Sequence, residues 1–476
     1  MEYASALPEW VNRLENEADM LAGSLEGEIP KQEFGTRTVT PEEFGYEENA
    51  EKYATDYIQQ AIDHLAECGG GTVLLNAGDY VSGTITLRSG IRLEVAEGAR
   101  LLGSYDLKDY PEHIAKRCTV MDTHMGMHQS FIVAEGCENI AICGSGTIDG
   151  RGDRKHFPGE ETAAGTPGRP FLLRVIDCKG VLIKDITLKN AACWMQNYLN
   201  CENLILDHIT VENLVNYNND GIDIDGCRNV IVRNCHVNSG DDALCFKGAA
   251  QALSENIYVR DSVFISSCNA IKFGTDTQGI FRNILIERCK AYGADEKRKK
   301  NAVKDEGADS GISLEMLDGG ILEDVVIRDI EMRKVRSPFF ARLDDRGRVK
   351  PEDEKPAPGI LRDILIERIT GEDCGPMGSY MLGIPEKDIG DIVIRHVLIR
   401  QKASRLPVIG EHEIGEMYGV YPDAHMIREY GDAPAYGMWA RHVKTLYLMD
   451  YQVVPDGEEG RPGIVGECCV LQTSKE

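Results

Sequence analysis

One short phrase recurs along this chain and restricts its fold more than any other feature. It opens on a small polar residue and continues with aliphatic residues alternating with charged ones: NLILDHI from 203, NVIVRNC from 229, NIYVRDS from 256 and NILIERC from 283. Further copies start at 139 (NIAICGS), 180 (GVLIKDI), 324 (DVVIRDI), 363 (DILIERI) and 391 (DIVIRHV). Alternation at period two marks strands with one buried face. The heads at 203, 229, 256 and 283 are 26 or 27 residues apart, a fixed period that marks a repeat architecture. Short strands at this spacing, with Gly, Asn and Asp turns and little helical periodicity, predict an all-β chain folded as a parallel β-helix. A barrel or sandwich would need closer hairpins with two-residue turns. In a β-helix each coil lays its strands on the previous coil, about 4.8 Å away. The Asn heading each copy then sits in a turn, where it tolerates left-handed geometry and its amide can bond the neighbouring coil's backbone.

A solenoid grows in one direction without splitting. Residues 35–476 are therefore predicted to form a single β-helix domain despite their length. Three gaps between copies are longer than one coil. They hold charged inserts near 290–310 and 343–360, expected to line a groove, and a C-terminal segment over 400–476. TDYIQQAIDHLAECGGG (55–71) is amphipathic and ends in glycines, which predicts a short helix capping the first coil. Residues 1–34 form a polar, partly helical extension through which the chain could build a homo-oligomer.

The net charge is -26, which argues against nucleic acid and anionic membranes as partners. No apolar run reaches the ~18 residues of a membrane span, and the first residues show no signal-peptide pattern, so the expected location is cytoplasmic. The 15 cysteines include no C-x-x-C pair. They read as reduced core residues rather than disulfides or metal ligands, and no metal or cofactor is expected.

The stretch Asn218–Lys247 (NNDGIDIDGCRNVIVRNCHVNSGDDALCFK) carries Asp220 and then Asp241 and Asp242. That separation is one short coil, so the carboxylates can lie side by side on successive turns. Solvated turn residues or a calcium site would use the same residue types. Catalysis is the other reading: a protonated carboxyl beside ionised ones equips an inverting glycosidase, whose two acids stand roughly 6.5–9.5 Å apart. Asp223 and Asp225 alternate with Ile222 and Ile224, so both face outward and are expected to be solvated.

With these motifs the chain resembles glycoside hydrolase family 28, the polygalacturonase and pectinase family. The N-x-D of Asn218–Asp220 and the G-D-D of Gly240–Asp242 carry the resemblance. The segments 69–104 and 144–153 support it, and 434–446 and 456–464 are similar to a mostly bacterial branch. The resemblance implies a right-handed β-helix with Asp241 as general acid, and with Asp220 and Asp242 activating water. Two motifs depart from the family pattern. Asn269 stands where the His of G-H-G is expected, and Ser313-Leu314-Glu315 replaces the R-I-K that grips galacturonate. An acid at that position would repel a uronate. The expected sugar there is neutral, or an acid read by Lys272, Lys247 or Arg342.

Asn218, Asn269 and Glu315 are further substrate contacts by the same reasoning, with a salt bridge as Glu315's alternative. Trp194 either stacks on a sugar ring or packs in the core. The expected activity is inverting, exo-acting hydrolysis of pectin-related plant cell-wall oligosaccharides. A galacturonidase of polygalacturonase type, a β-helix lyase and a non-catalytic carbohydrate-binding β-helix are the alternatives.

Overall fold

Two left-handed corners, five residues apart, frame the copies headed by Asn203, Asn229, Asn256 and Asn283. The computed structural model describes residues 7–48, 53–159, 168–295, 307–404, 416 and 432–474. In it Asn203, Asn229, Asn256 and Asn283 have φ of 60, 54, 56 and 51°, and the second corners His208, Asn234, Asp261 and Arg288 have 53, 54, 50 and 50°. Asn enters this region at less cost than most residues, which is why it heads the copies. Its amide does something other than expected. Asn229 Nδ2 donates to Asn203 Oδ1 (3.0 Å), and Asn283 Nδ2 to Asn256 Oδ1 (2.7 Å). The bond runs side chain to side chain because parallel in-register stacking sets like carboxamides above one another.

By spatial proximity the described chain divides into two units, residues 25–241 and residues 1–24 with 242–476. Each is a stack of parallel strands, and the fold is the right-handed parallel β-helix expected. In the 25–241 unit, Phe171–Ile176, Gln196–Leu199 and Ile222–Asp225 pair in parallel with Arg174, Asn197 and Asp223 in register. Val181, Leu204 and Val230 form one rung of the interior and are fully buried. In the other unit, Leu244–Lys247, Asn269–Phe273, Ala308–Met316 and Val335–Leu343 pair in parallel, aligning Cys245, Lys272, Ser313 and Phe340.

The expected extension contains helix α1 (Glu9–Glu28). Val11, Leu14, Ala18 and Leu21 on its apolar stripe are buried. Arg13 pairs with Asp324 (2.7 Å), Asp19 with Arg328 (2.8 Å) and Glu15 with Arg395. The stripe that would offer an oligomer contact is already covered by its own chain. Helix α2 (Thr55–Glu67) buries Ile58, Ala61, Ile62 and Leu65 against the strands Gly71–Leu75 and Ile91–Val95, and it ends in Gly69 and Gly70 with φ of 88 and 103°. Cys137, Cys178, Cys201 and Cys227 each stand two residues before a left-handed corner and are buried. The sulfurs of Cys178 and Cys227 accept main-chain bonds from the adjacent coil, from Cys137 N and Cys201 N, both 3.3 Å, while those of Cys137 and Cys201 donate to Leu87 O and Val175 O. Among the described residues no helix is long and apolar enough to cross a membrane. Parts of the expected groove-lining insert near 290–310 (296–306) and of the C-terminal segment (405–415 and 417–431) lie outside the described residues.

Candidate active site

Within residues 25–241, Asn213 holds both carboxylate motifs. Its side-chain amide donates to Asp220 O (3.0 Å), while its own carbonyl accepts from Asn219 Nδ2 (2.6 Å) and Gly240 N (2.9 Å). The N-x-D and G-D-D backbones thus meet at one residue. The glycine of G-D-D has a steric cause: a Cβ on Gly240 would lie 2.6 Å from Asn219 Nδ2. Asp220 is buried, and its carbonyl also accepts from Met195 N (3.0 Å). Asp241 is half-buried, with its carbonyl bonded by Ser239 Oγ (2.7 Å). Asn218 Oδ1 accepts from Arg169 Nη2 (2.8 Å), and Arg169 Nη1 donates to Tyr217 O (2.7 Å). Asn218 therefore anchors the loop that carries Asp220.

Asp223 and Asp225 correct the expectation of solvated side chains. They are 0% and 3% exposed. Alternation gave their direction rightly but carries no information on what covers that direction. A carboxylate oxygen of Asp223 lies within 4.8 Å of one of Asp220. Trp194 is buried and meets Phe171 edge to face with ring centroids 5.7 Å apart.

In the 242–476 unit the departures from the family motifs form one buried cluster. Asn269 Nδ2 donates to Asp242 Oδ1 (2.8 Å), and Asn269 Oδ1 accepts from Ser310 Oγ (2.6 Å). Lys272 Nζ stands 3.1 Å from Asp242 Oδ2 and 3.6 Å from Glu315 Oε2. Ser313 Oγ donates to Glu315 Oε1. None of these four residues, Asp242, Asn269, Lys272 and Glu315, exceeds 3% exposure. Lys272 is shared by two acids. Glu315 is thus a salt-bridge partner, the alternative its position left open, and Lys272 is held between acids.

The other two expected cations are also engaged. Arg342 bonds Asp344 Oδ2 (2.9 and 3.1 Å) and Glu416 O (3.0 Å). Lys247 acts on Asp276, whose carboxyl is pushed up by burial but held below its ordinary value by Arg346, Arg348 and Lys247 together. Asp318, bonded to the same Arg346, goes the other way because burial outweighs that arginine. Sequence reasoning missed Arg169, Asn213 and the arginines of the 343–360 insert. The side-chain partners of these arginines lie 28 to 72 residues away and leave no periodic trace.

Residues 90–293 match glycosyl hydrolases family 28. The family match contains Asp220, Asp241, Asp242 and Asn269, and stops short of Ser313-Leu314-Glu315. A probable polygalacturonase of Vitis vinifera is 24% identical over 401 residues, covering 80% of this chain and 78% of its own. An endo-polygalacturonase of Pectobacterium carotovorum is 26% identical over 250 residues, 49% of this chain and 61% of the relative, so the chain spans about three-fifths of that protein. In fold, an exopolygalacturonase from Thermotoga maritima superposes with a TM-score of 0.67 at 20% identity, covering 82% of this chain and 91% of that one.

Proposed function

We propose that this chain is an inverting glycoside hydrolase acting on pectin-related oligosaccharides of the plant cell wall. One observation carries the reading: the three acids of N-x-D and G-D-D all fall inside the family 28 match. In the mechanism, Asp241 protonates the glycosidic oxygen as the bond breaks. Asp220 and Asp242 position a water and take its proton as it attacks the anomeric carbon from the opposite face. The half-buried placement of Asp241 suits a group that exchanges protons with substrate and solvent. Asn269 and Lys272 both contact Asp242 and hold its carboxylate in place.

The sugar at the position of R-I-K is neutral in this reading. Glu315 takes the lysine's place, and an acid at that position repels a uronate. Exo action belongs to the same reading, on the sequence expectation that long inserts wall a groove.

The test is product analysis by proton NMR on a panel of pectin-derived oligosaccharides carrying neutral or galacturonate termini. The expected result is release of a neutral sugar with inverted anomeric configuration, reduced at least a thousandfold in Asp241→Asn. A retained anomer overturns the mechanism, and preferred release of galacturonate overturns the specificity. An unsaturated product absorbing in the ultraviolet points to a lyase.

A further inference from the structure

In the 25–241 unit, Arg151, Arg154 and Lys155 fall in one short loop, and none of them forms an ion pair among the described residues. Asp153, the acid between them, is committed elsewhere. Its Oδ1 accepts from Lys155 N (2.9 Å) and His156 N (3.2 Å), and its Oδ2 stands 2.9 Å from His156 Nδ1. Arg151 serves the fold: its Nε donates to Gly103 O, and its guanidinium lies 4.2 Å from the Tyr105 ring centre. Arg154 is half-buried yet bonds to neither an acid nor a carbonyl among the described residues. Its guanidinium lies 3.8 Å from the Tyr217 ring centre, and its Nε is enclosed without a hydrogen-bond partner. Asn216 ties this loop to the N-x-D motif. Its Nδ2 donates to Gly152 O (2.8 Å) and Phe157 O (2.9 Å), and its Oδ1 accepts from Tyr217 N (2.8 Å). Arg169 holds Tyr217 O and Asn218 Oδ1. The ring beneath Arg154 thus belongs to the residue just before N-x-D, on backbone bonded at both its N–H and its carbonyl.

Stacking on an aromatic ring occupies one face of a guanidinium and leaves its N–H groups, which lie in the plane, able to donate. The terminal amino groups of Arg154 are not among the enclosed atoms, so they reach solvent. Two such donors side by side match the two oxygens of a planar carboxylate, and the charged pair is stronger than a bond to a hydroxyl. Partial withdrawal from water strengthens that attraction relative to a fully exposed arginine. A neutral sugar offers hydroxyls alone and leaves the charge unanswered. Pectin-related oligosaccharides contain uronate units, whose ring carboxylates are the anions at hand beside a carboxylate motif that cleaves them.

We propose that Arg154, seated on Tyr217, binds the carboxylate of a uronate unit in the oligosaccharide. The inference deepens the hydrolase reading and rests on it for the claim that this uronate belongs to a substrate. With a neutral unit at the position of Glu315, the preferred ligand is a mixed oligosaccharide of neutral and uronate units, not a polyuronate. The test is calorimetry on Asp241→Asn protein with a disaccharide of galacturonate and L-rhamnose, as the free acid and as its methyl ester. The ester keeps the ring and removes the charge. The acid is expected to bind at least tenfold more tightly than the ester. Arg154→Gln should bring that ratio close to one while changing ester affinity less than twofold. Arg154→Lys should keep part of the ratio, because an ammonium supplies the charge without the planar fork. A melting curve checks each variant, and if Gln does not fold, Lys decides alone by whether the ratio falls at least threefold. An acid that does not bind, a ratio near one before substitution, or a ratio indifferent to Arg154 overturns the assignment. These outcomes separate from the parent reading. Turnover by the unsubstituted protein with Arg154-independent binding sinks the uronate site alone. Arg154-dependent binding of the acid without turnover of any glycoside sinks the hydrolase and leaves a uronate-binding protein.

Discussion

Lys272 stands 3.1 Å from Asp242 and 3.6 Å from Glu315, and all three side chains are almost wholly buried. Removing one member of a buried ion pair leaves an unpaid charge, typically costing about 3–5 kcal/mol. Lys272→Met is therefore expected to lower the urea midpoint by that order. It should also cut turnover if Asp242 serves the proposed mechanism, because its carboxylate loses the ammonium that pairs with it. Adding Glu315→Gln should restore part of the stability without restoring turnover. Equal midpoints for the single and double variants would show that Glu315 is not the lysine's partner. From the sequence, Glu315 read as an acid facing substrate. Its distance from Lys272 along the chain hid the pair, since no local pattern links residues on different coils.

The corners are the element most legible in the sequence. Asn at the head of each copy was read as a turn residue tolerant of left-handed geometry, and φ of 54° at Asn229 agrees. What it bonds was not legible, because the partner, Asn203, is set by coil-to-coil register. The two contributions can be separated by substitution. Asn229→Ala should lose about 2 kcal/mol, about 0.5–1.5 from the hydrogen bond and the rest from losing the carboxamide that lets Asn occupy this left-handed region at less cost than Ala. Asn229→Gly should lose only about 1 kcal/mol, the hydrogen bond offset in part by backbone freedom. Urea unfolding of the three proteins reads the difference. Equal losses would mean that backbone geometry contributes nothing at this corner.

At the scale of the whole molecule, the charge of -26 sets how a polyanion approaches. Long-range repulsion is screened over a Debye length of about 30 Å at 0.01 M salt and about 8 Å at 0.15 M. Initial rates on uronate-rich pectic polymer should therefore rise several-fold between these salt concentrations. Rates on a short oligosaccharide with a neutral terminus should stay nearly constant. A polymer rate that falls with salt would indicate a cationic binding track that the net charge conceals. The sequence by itself determined the coil, its corners and the positions of the acidic motifs, because strand alternation, left-handed turns and repeat length are local properties. Only the tertiary structure decided that Asp223 and Asp225 are buried, that Glu315 is paired with Lys272, and that Arg154 lies over Tyr217. Those facts depend on which side chains the stacking brings together from distant coils, and short-range sequence pattern holds no record of that.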